Sequence, residues 1–292
     1  MMILKTWLFS VALAGLTSTN IWADTIKVPR AANDKGRLPD LLLNAALERG
    51  GKYQITYPYG DIETLPLSTR MNGLKNGELD LFMALSTPEF EQEFIPVYIP
   101  IYRGMMGMRL AIIKQENAEI FSQVKTLDDL RQFDAGQGKF WADSNILEYN
   151  SIPVVKSLKY KNLFPMLEAE RFDYFPRGIQ EPWAEVENHE KLNLTIDSHI
   201  MLWYTAPFYY FVPRSKPELA EHLTQQLEAM IEDGSFMHLF NNEPYIQNAL
   251  QQANIEQRTI IKLKNPFLGD NTPTERKELW YTPNYPPIDE SL

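Results

Sequence analysis

A chain of 292 residues, 44% hydrophobic and 23% charged, has room for two domains and the composition of a globular protein. Its formal net charge of -10 leaves no basic patch to neutralise phosphates, which sets nucleic acid aside as a partner. With no cysteine in the chain, disulfides, thiol catalysis, thiolate metal sites and lipid attachment through a cysteine are all excluded.

The first residues read as an export signal. Lys5 supplies the positive charge, Trp7 to Leu16 the apolar run, and Ile21-Trp22-Ala23 a cleavage site. That run is short for a membrane span. The expectation is removal of residues 1–23 and a monomer diffusing freely in the periplasm, without a lipid anchor.

Asp24 to Arg30 alternates as a short strand, and Lys35 to Arg49 carries helical periodicity closed by Gly50-Gly51. Tyr53, Ile55 and Tyr57 alternate in the next strand, and Met71 to Asn76 forms a helical turn. Leu81 to Leu85 then reads as a buried strand that stops at Ser86-Thr87-Pro88-Glu89-Phe90. In an α/β sheet the carboxyl end of such a strand binds ligands. Here it carries hydroxyls and a helix start whose free N–H groups suit an anionic group.

Phe94 to Ile113 is a nearly continuous apolar run broken by prolines and glycines, suited to a crossover between domains. Beyond it Thr126-Leu127-Asp128-Asp129 reads as a capping box, Asp134 to Lys139 as a Gly-x-Gly turn, and Phe140 to Tyr149 as a helix. Ile152 to Val155 and Arg171 to Phe175 read as strands around an Asn162 to Glu170 helix. Leu202 to Val212 is the return crossover, and Ser215-Lys216-Pro217-Glu218 a second capping box. The helix it opens has Leu219, Leu223, Leu227, Met230 and Ile231 on one face and ends at Gly234. Residues 241–292 are polar and proline-rich, with a strand expected at Arg258 to Leu263 and a loosely held end from about Asn284. Strand and helix alternate throughout, so parallel sheets with right-handed crossovers are expected.

The order and spacing of these pieces resemble the type II periplasmic solute-binding proteins, specifically the amino-acid-binding family 3 group. The likeness runs from about Ile26 to Asn242. It rests on Leu74 to Asp80, the Ser86 to Glu89 corner, Thr126 to Leu130, Gly136-Gln137-Gly138, Glu170 to Asp173 and Glu232 to Phe236. It implies a two-lobed α/β fold, each lobe a mostly parallel sheet flanked by helices, joined by two hinge crossovers. Residues 24–104 and 207–292 would form lobe one and 105–206 lobe two. It also implies capture of a small polar metabolite by lobe closure, for an ABC-type permease or a sensor, with no cofactor.

In that group an arginine follows the Thr-Pro-Glu corner and grips the ligand carboxylate. Here Phe90 stands in its place, so a standard α-amino acid grip is missing. By the same resemblance Thr87 matches a ligand-contacting hydroxyl, Asp173 an acidic position that receives an ammonium, and Tyr59 a packing aromatic. Gly138, Phe140 and Trp141 fall where the lobe-two helix meets the ligand.

Each candidate has a plainer reading. Thr87 could be only a helix cap, Asp173 an exposed strand-end carboxylate, and Tyr59 an edge aromatic. Arg177 could supply the cation absent at Phe90, or be a solvated turn arginine; Arg103 is a weaker version of the same idea. Phe140, Trp141 and Trp183 could wall a ring or a cation, or simply pack. The four histidines lack metal-ligand spacing, and no nucleophile elbow, phosphate loop or dinucleotide fingerprint is present. Two alternatives stay open: a dehydratase or hydrolase on the same fold using Asp173 or Glu181, and a sensory or accessory protein with a degenerate cleft.

Overall fold

The computed structural model describes residues 24–31, 37–62 and 65–283; the expected signal segment, Lys35 and the chain end from Asn284 lie outside them. The chain opens with β1 (Asp24–Lys27), β2 (Arg30–Ala31), α1 (Arg37–Gly50), β3 (Tyr53–Thr56) and β4 (Asp61–Ile62). It continues through α2 (Leu67–Lys75), β5 (Phe82–Leu85), α3 (Pro88–Glu93) and β6 (Phe94–Val97). A crossover leads to β7 (Met108–Lys114), α4 (Leu127–Leu130), β8 (Ala135–Gly138), α5 (Ala142–Tyr149) and β9 (Val154–Ser157). Then follow α6 (Tyr160–Glu168), β10 (Tyr174–Gly178), α7 (Pro182–Glu187), β11 (Leu194–Ile196) and β12 (Ile200–Trp203). A second crossover returns to β13 (Phe208–Pro213), α8 (Pro217–Glu232), α9 (Ser235–Asn242) and α10 (Pro244–Ala253), and β14 (Thr259–Lys262) closes the series.

Lobe one holds the parallel pairs β1–β3 and β2–β4 and a sheet in the order β5-β13-β6. Lobe two is a seven-stranded sheet in the order β14-β12-β7-β10-β8-β9, with β11 on β7. Every antiparallel pairing among the described residues involves β7 or β13, the strand that follows each crossover. The remaining pairs are parallel, as helical connections such as β1–α1–β3 and β8–α5–β9 require.

Several boundaries differ from those read in the sequence, for local reasons. The Gly-x-Gly stretch is not a turn but β8, flanked in parallel by β9 and β10. β10 begins at Tyr174 rather than Arg171, which places Asp173 before its amino end and Arg177 inside it. At α8 the N-cap is Lys216 with no side-chain cap, because Pro217 takes the first helical position and Lys216 pairs with Asp80 at 2.8 Å. The capping box at Thr126 is present, with Asp129 reciprocating. Although 207–292 were expected in lobe one, β14 pairs in parallel with β12 from Ile200↔Thr259 to Trp203↔Lys262, inside the lobe-two sheet.

The helices obey their apolar periodicity: Leu219, Leu223, Leu227 and Met230 of α8 are all buried and pack in one core with Leu42, Leu43 and Ala46 of α1. Residues beyond Asn242 are tied down as well. The Arg103 guanidinium donates to the Trp280 carbonyl at 3.1 Å, and the Tyr281 N–H donates to the Arg103 carbonyl at 2.7 Å. This fastens the end of the described chain to the first crossover and places Arg103 outside the cleft.

Candidate functional site

The Ser86-Thr87 corner closes β5, at the strand end where an α/β sheet receives ligands. Thr87 is the N-cap of α3: its hydroxyl accepts the Phe90 N–H at 3.2 Å. The Ser86 hydroxyl donates to Glu91 at 2.5 Å, and Glu91 also accepts from the Tyr98 hydroxyl at 3.0 Å. Facing the corner are Ala142, Asn145 and Ile146 of α5, so the two lobes meet here around a cavity of about 50 Å3. The third wall is Asn265 and Phe267, which sequence reasoning missed. Asn150 pins that wall to α5 by donating to the Lys264 carbonyl at 2.7 Å and accepting its N–H at 3.0 Å. The cavity has room for a few water molecules, well below an ordinary ligand pocket of several hundred Å3. A larger hollow of about 310 Å3 lies against Asp24, Tyr53 and Lys216, at the amino ends of β1 and β3 and away from the cleft.

A second polar cluster fills the carboxyl end of β10. Arg177 is buried and makes a two-pronged ion pair with Glu185, Nε and Nη2 each at 2.8 Å, and a further bond to Glu181 at 2.7 Å. Its guanidinium lies 4.9 Å from the Trp141 ring, 4.9 Å from Phe175 and 5.5 Å from Tyr160. The Tyr160 hydroxyl donates to Glu185 at 2.6 Å. Glu181 also accepts the Gly178 N–H at 2.7 Å and reaches Arg109 at 3.7 Å. Arg109, only 1% exposed near the start of the apolar strand β7, pairs with Asp143, which accepts the Tyr204 hydroxyl too.

Electrostatics hold both arginines of this cluster charged. Burial pushes the Arg177 guanidinium down, but the charges of Glu181 and Glu185 outweigh it and keep it well above its ordinary value. Arg109 is raised in the same way: burial opposes, and Asp143, Tyr204 and Glu181 overcome it. Burial first, then the Asp143 charge, drives the Tyr204 phenol far up, so it stays a neutral donor. The arginines share Glu181 between them, which explains how two like charges tolerate one buried region.

The structure distributes the sequence candidates unevenly. Ser86 and Thr87 line the interlobe cavity. Gly138 lies under the Trp141 indole, where any Cβ would collide with the ring, and its carbonyl accepts the Ser144 hydroxyl at 2.8 Å. Trp141 is walled against a cation, but the cation is Arg177 of this same chain. Four candidates take other positions. Phe90 is a core residue, edge-on to Phe82 and Phe211 at 5.8 and 5.7 Å, because α3 turns it inward from the corner. Asp173 sits at the amino end of β10 and accepts the Asp134 N–H at 2.7 Å, the strand's length away from the cleft. The Tyr59 hydroxyl donates to Glu78 at 2.6 Å, before β5, while Ser86 follows that strand. Phe140 is 67% exposed.

Sequence reasoning missed Arg109, Asp143, Tyr160, Glu185 and Tyr204. A lone arginine within Met105 to Ile113 was the available signal for the first. The i, i+4, i+8 spacing of Arg177, Glu181 and Glu185 was the signal for the pair.

No protein-family model matches the sequence, and no curated protein matches it. Solved structures do match in three dimensions. An ancestral arginine-binding protein bound to arginine superposes with a TM-score of 0.54 at 18% identity, over 75% of this chain and 98% of that one. The chain has the two-lobed fold of the periplasmic binding proteins. An arginine transport-system periplasmic binding protein from Legionella pneumophila matches with a TM-score of 0.56 at 16% identity, covering 76% of this chain and all of that one. A histidine kinase sensor domain with similarity to periplasmic binding proteins matches with a TM-score of 0.56 at 13% identity, over 76% and 96% of the two chains. At these identities the likeness establishes the two-lobed fold.

Proposed function

We propose that this chain is an exported solute-binding protein that closes its lobes on a small polar metabolite, for delivery to an ABC-type permease or presentation to a sensor. The observation that carries this reading is the facing of Ser86 and Thr87 of one lobe and Asn145 of the other across a single cavity. Both lobes touch whatever enters, so a solute stabilises closure by its differential affinity. The neighbours of this fold include proteins bound to arginine and glutamine and one implicated in glutathione import. Among the described residues no helix is long and apolar enough to cross a membrane.

The ligand class follows from what the cleft offers: hydroxyl and amide groups and the Phe267 ring, with the Phe90 position turned away into the core. A small neutral or amine-bearing solute suits these groups better than one held by its carboxylate. Mass spectrometry of small molecules that co-purify with the protein tests the reading directly. An intact polar metabolite at about one per chain supports it, and an empty protein that no amino acid, amine or short peptide stabilises against heat overturns it.

A second reading, a sensory or accessory protein with a degenerate cleft, is favoured by one observation. The cavity is small, and the polar groups around it already bond within the chain. That same thermal panel separates the two, since a degenerate cleft yields no shift with any solute. The dehydratase or hydrolase reading draws no such support: Glu181 is engaged with Arg177 and the Gly178 N–H, and Asp173 lies at the far end of β10.

A further inference from the structure

Two of the most exposed large apolar side chains of the described residues stand on adjoining loops of lobe two. Phe140 is 67% exposed at the tip of the β8–α5 loop, and Leu158 is 71% exposed at the tip of the β9–α6 loop. The loops are adjacent: Gly138 and Ser157 are partners in the sheet, and the Lys139 N–H donates to the Ser157 carbonyl at 2.9 Å. Around the two tips stand Lys139, Lys159 and Lys161, all exposed, with the Lys139 ammonium 5.9 Å from the Phe140 ring centre. From 139 to 142 and from 157 to 167 the sequence carries no carboxylate, and among the described residues none of these lysines forms an ion pair. A cluster of free cations around two bare hydrocarbon tips is out of keeping with a chain of net charge -10.

We propose that these two loops dock the protein onto an anionic bilayer surface, with Phe140 and Leu158 entering the interface and the three lysines facing lipid headgroups. Two bare apolar tips on adjoining loops, ringed by cations, form an amphipathic patch of the kind a bilayer interface covers. Lysines beside them supply the attraction that anionic headgroups answer, and hydrocarbon insertion supplies the rest. A bilayer fits better than a folded protein partner because the tips project singly from two loops rather than lining a groove or a flat face with a polar rim. The acidic remainder of the molecule is repelled by the same surface, so the attraction fixes orientation as well as contact. Docked in this way, the carboxyl ends of β8 and β9, and with them the start of α5 that lines the interlobe cavity, face the membrane. The proposal is independent of which solute the cleft takes.

The absence of cysteine from the chain makes the test clean. A polarity-sensitive fluorophore on Leu158→Cys in the full chain reports this loop alone, and the same label on Glu221→Cys, exposed on α8, is the control. Vesicles of phosphatidylglycerol and phosphatidylethanolamine should shift the Leu158→Cys label to the blue and leave the control unchanged. Charge reversal at Lys139, Lys159 and Lys161 together should weaken the apparent partitioning at least tenfold, and Phe140→Ser severalfold. Thermal melting of each variant checks that it is folded; these exposed changes should leave it within a few degrees. Absence of the blue shift, an equal shift at the control, or a shift indifferent to charge reversal would each overturn the proposal. The first of these outcomes would turn the patch over to a protein partner.

Discussion

Arg177 and Glu185 illustrate how a buried ion pair can matter for structure without adding much to stability as a pair. Each charge loses its water, and only the two-pronged geometry and the Tyr160 and Glu181 bonds offset that loss. Removing one partner is therefore the severe change. Arg177→Ala should destabilise the protein by about 3–5 kcal/mol, because it strands Glu185 at 1% exposure without its cation. Urea unfolding measures this, and a loss under about 1 kcal/mol would show that water or a rearranged side chain already shields Glu185. Asp40 offers a second residue-level expectation. Burial raises its carboxyl from 3.8 to about 6, with Arg30 opposing, and its Oδ1 has no hydrogen-bond partner. The folded state thus holds a proton that the unfolded chain releases, so this group's contribution falls as pH rises from about 4 to about 6. The buried phenols Tyr102 and Tyr210 face the same carboxylate and do not titrate in that window, since burial holds both well above their ordinary values. Discounted for solvent screening of a half-buried group, the effect is on the order of 1–2 kcal/mol. Asp40→Asn should flatten that part of the stability profile and raise stability at pH 7, less the few tenths of a kcal/mol a first-turn carboxylate contributes to α1. Unfolding midpoints at pH 4, 5, 6 and 7 for both proteins decide it.

At the scale of elements, the two crossovers run antiparallel against each other, at a separation that only glycine permits at position 107. The Tyr204 N–H donates to the Gly107 carbonyl at 3.1 Å, and a Cβ on Gly107 would overlap the Tyr204 carbonyl oxygen. Backbone cannot rotate away as a flexible side chain can. Gly107→Ala should cost about 3 kcal/mol or more and lower the melting temperature by several degrees. A neutral result would mean the crossovers move apart freely. The longer helices and the alternation of strand and helix were legible in the sequence because α1 and α8 carry sustained apolar faces, whereas β8 read as a turn because its Gly-x-Gly carries no apolar pattern. Strand ends were not legible. A register error of three residues at β10 put Asp173 on the strand end and Arg177 in a turn, since a short apolar run does not mark where its ladder begins. The pairing of β14 with β12 was beyond reach for another reason. No local feature of a four-residue strand names a partner more than fifty positions away in sequence. The resemblance marked Phe90 as standing where a cation is expected, but its burial against Phe82 and Phe211 needed the helix direction, which periodicity over a six-residue helix does not set.

For the whole molecule the question is what holds the lobes together. A clamp whose closure depends on its ligand stays open without it, because only the ligand bridges the halves. In this chain one continuous apolar core includes Leu110, Ile179 and Met201 from lobe two together with Val97, Tyr210 and Val212 from lobe one. Met105 and Met106 of the first crossover belong to it as well. At roughly 25 cal/mol for each Å2 of apolar surface covered, even a modest seam of this kind rivals the few kcal/mol that separates open and closed states. Closure is therefore expected to be substantially populated before any solute binds. Spin labels on Glu89→Cys and Asn145→Cys, exposed residues on opposite walls of the interlobe cavity, give the lobe separation directly by pulsed dipolar spectroscopy. The solute-binding reading then expects a mixed distribution with a marked short-distance population, enriched further by the right solute. A degenerate cleft gives the short population alone, unmoved by solutes. Long distances alone in the solute-free protein would contradict the cross-lobe core as a closing force. In that case the contact between the Ser86-Thr87 corner and α5 would depend on the ligand entirely, as in a clamp with no built-in bias.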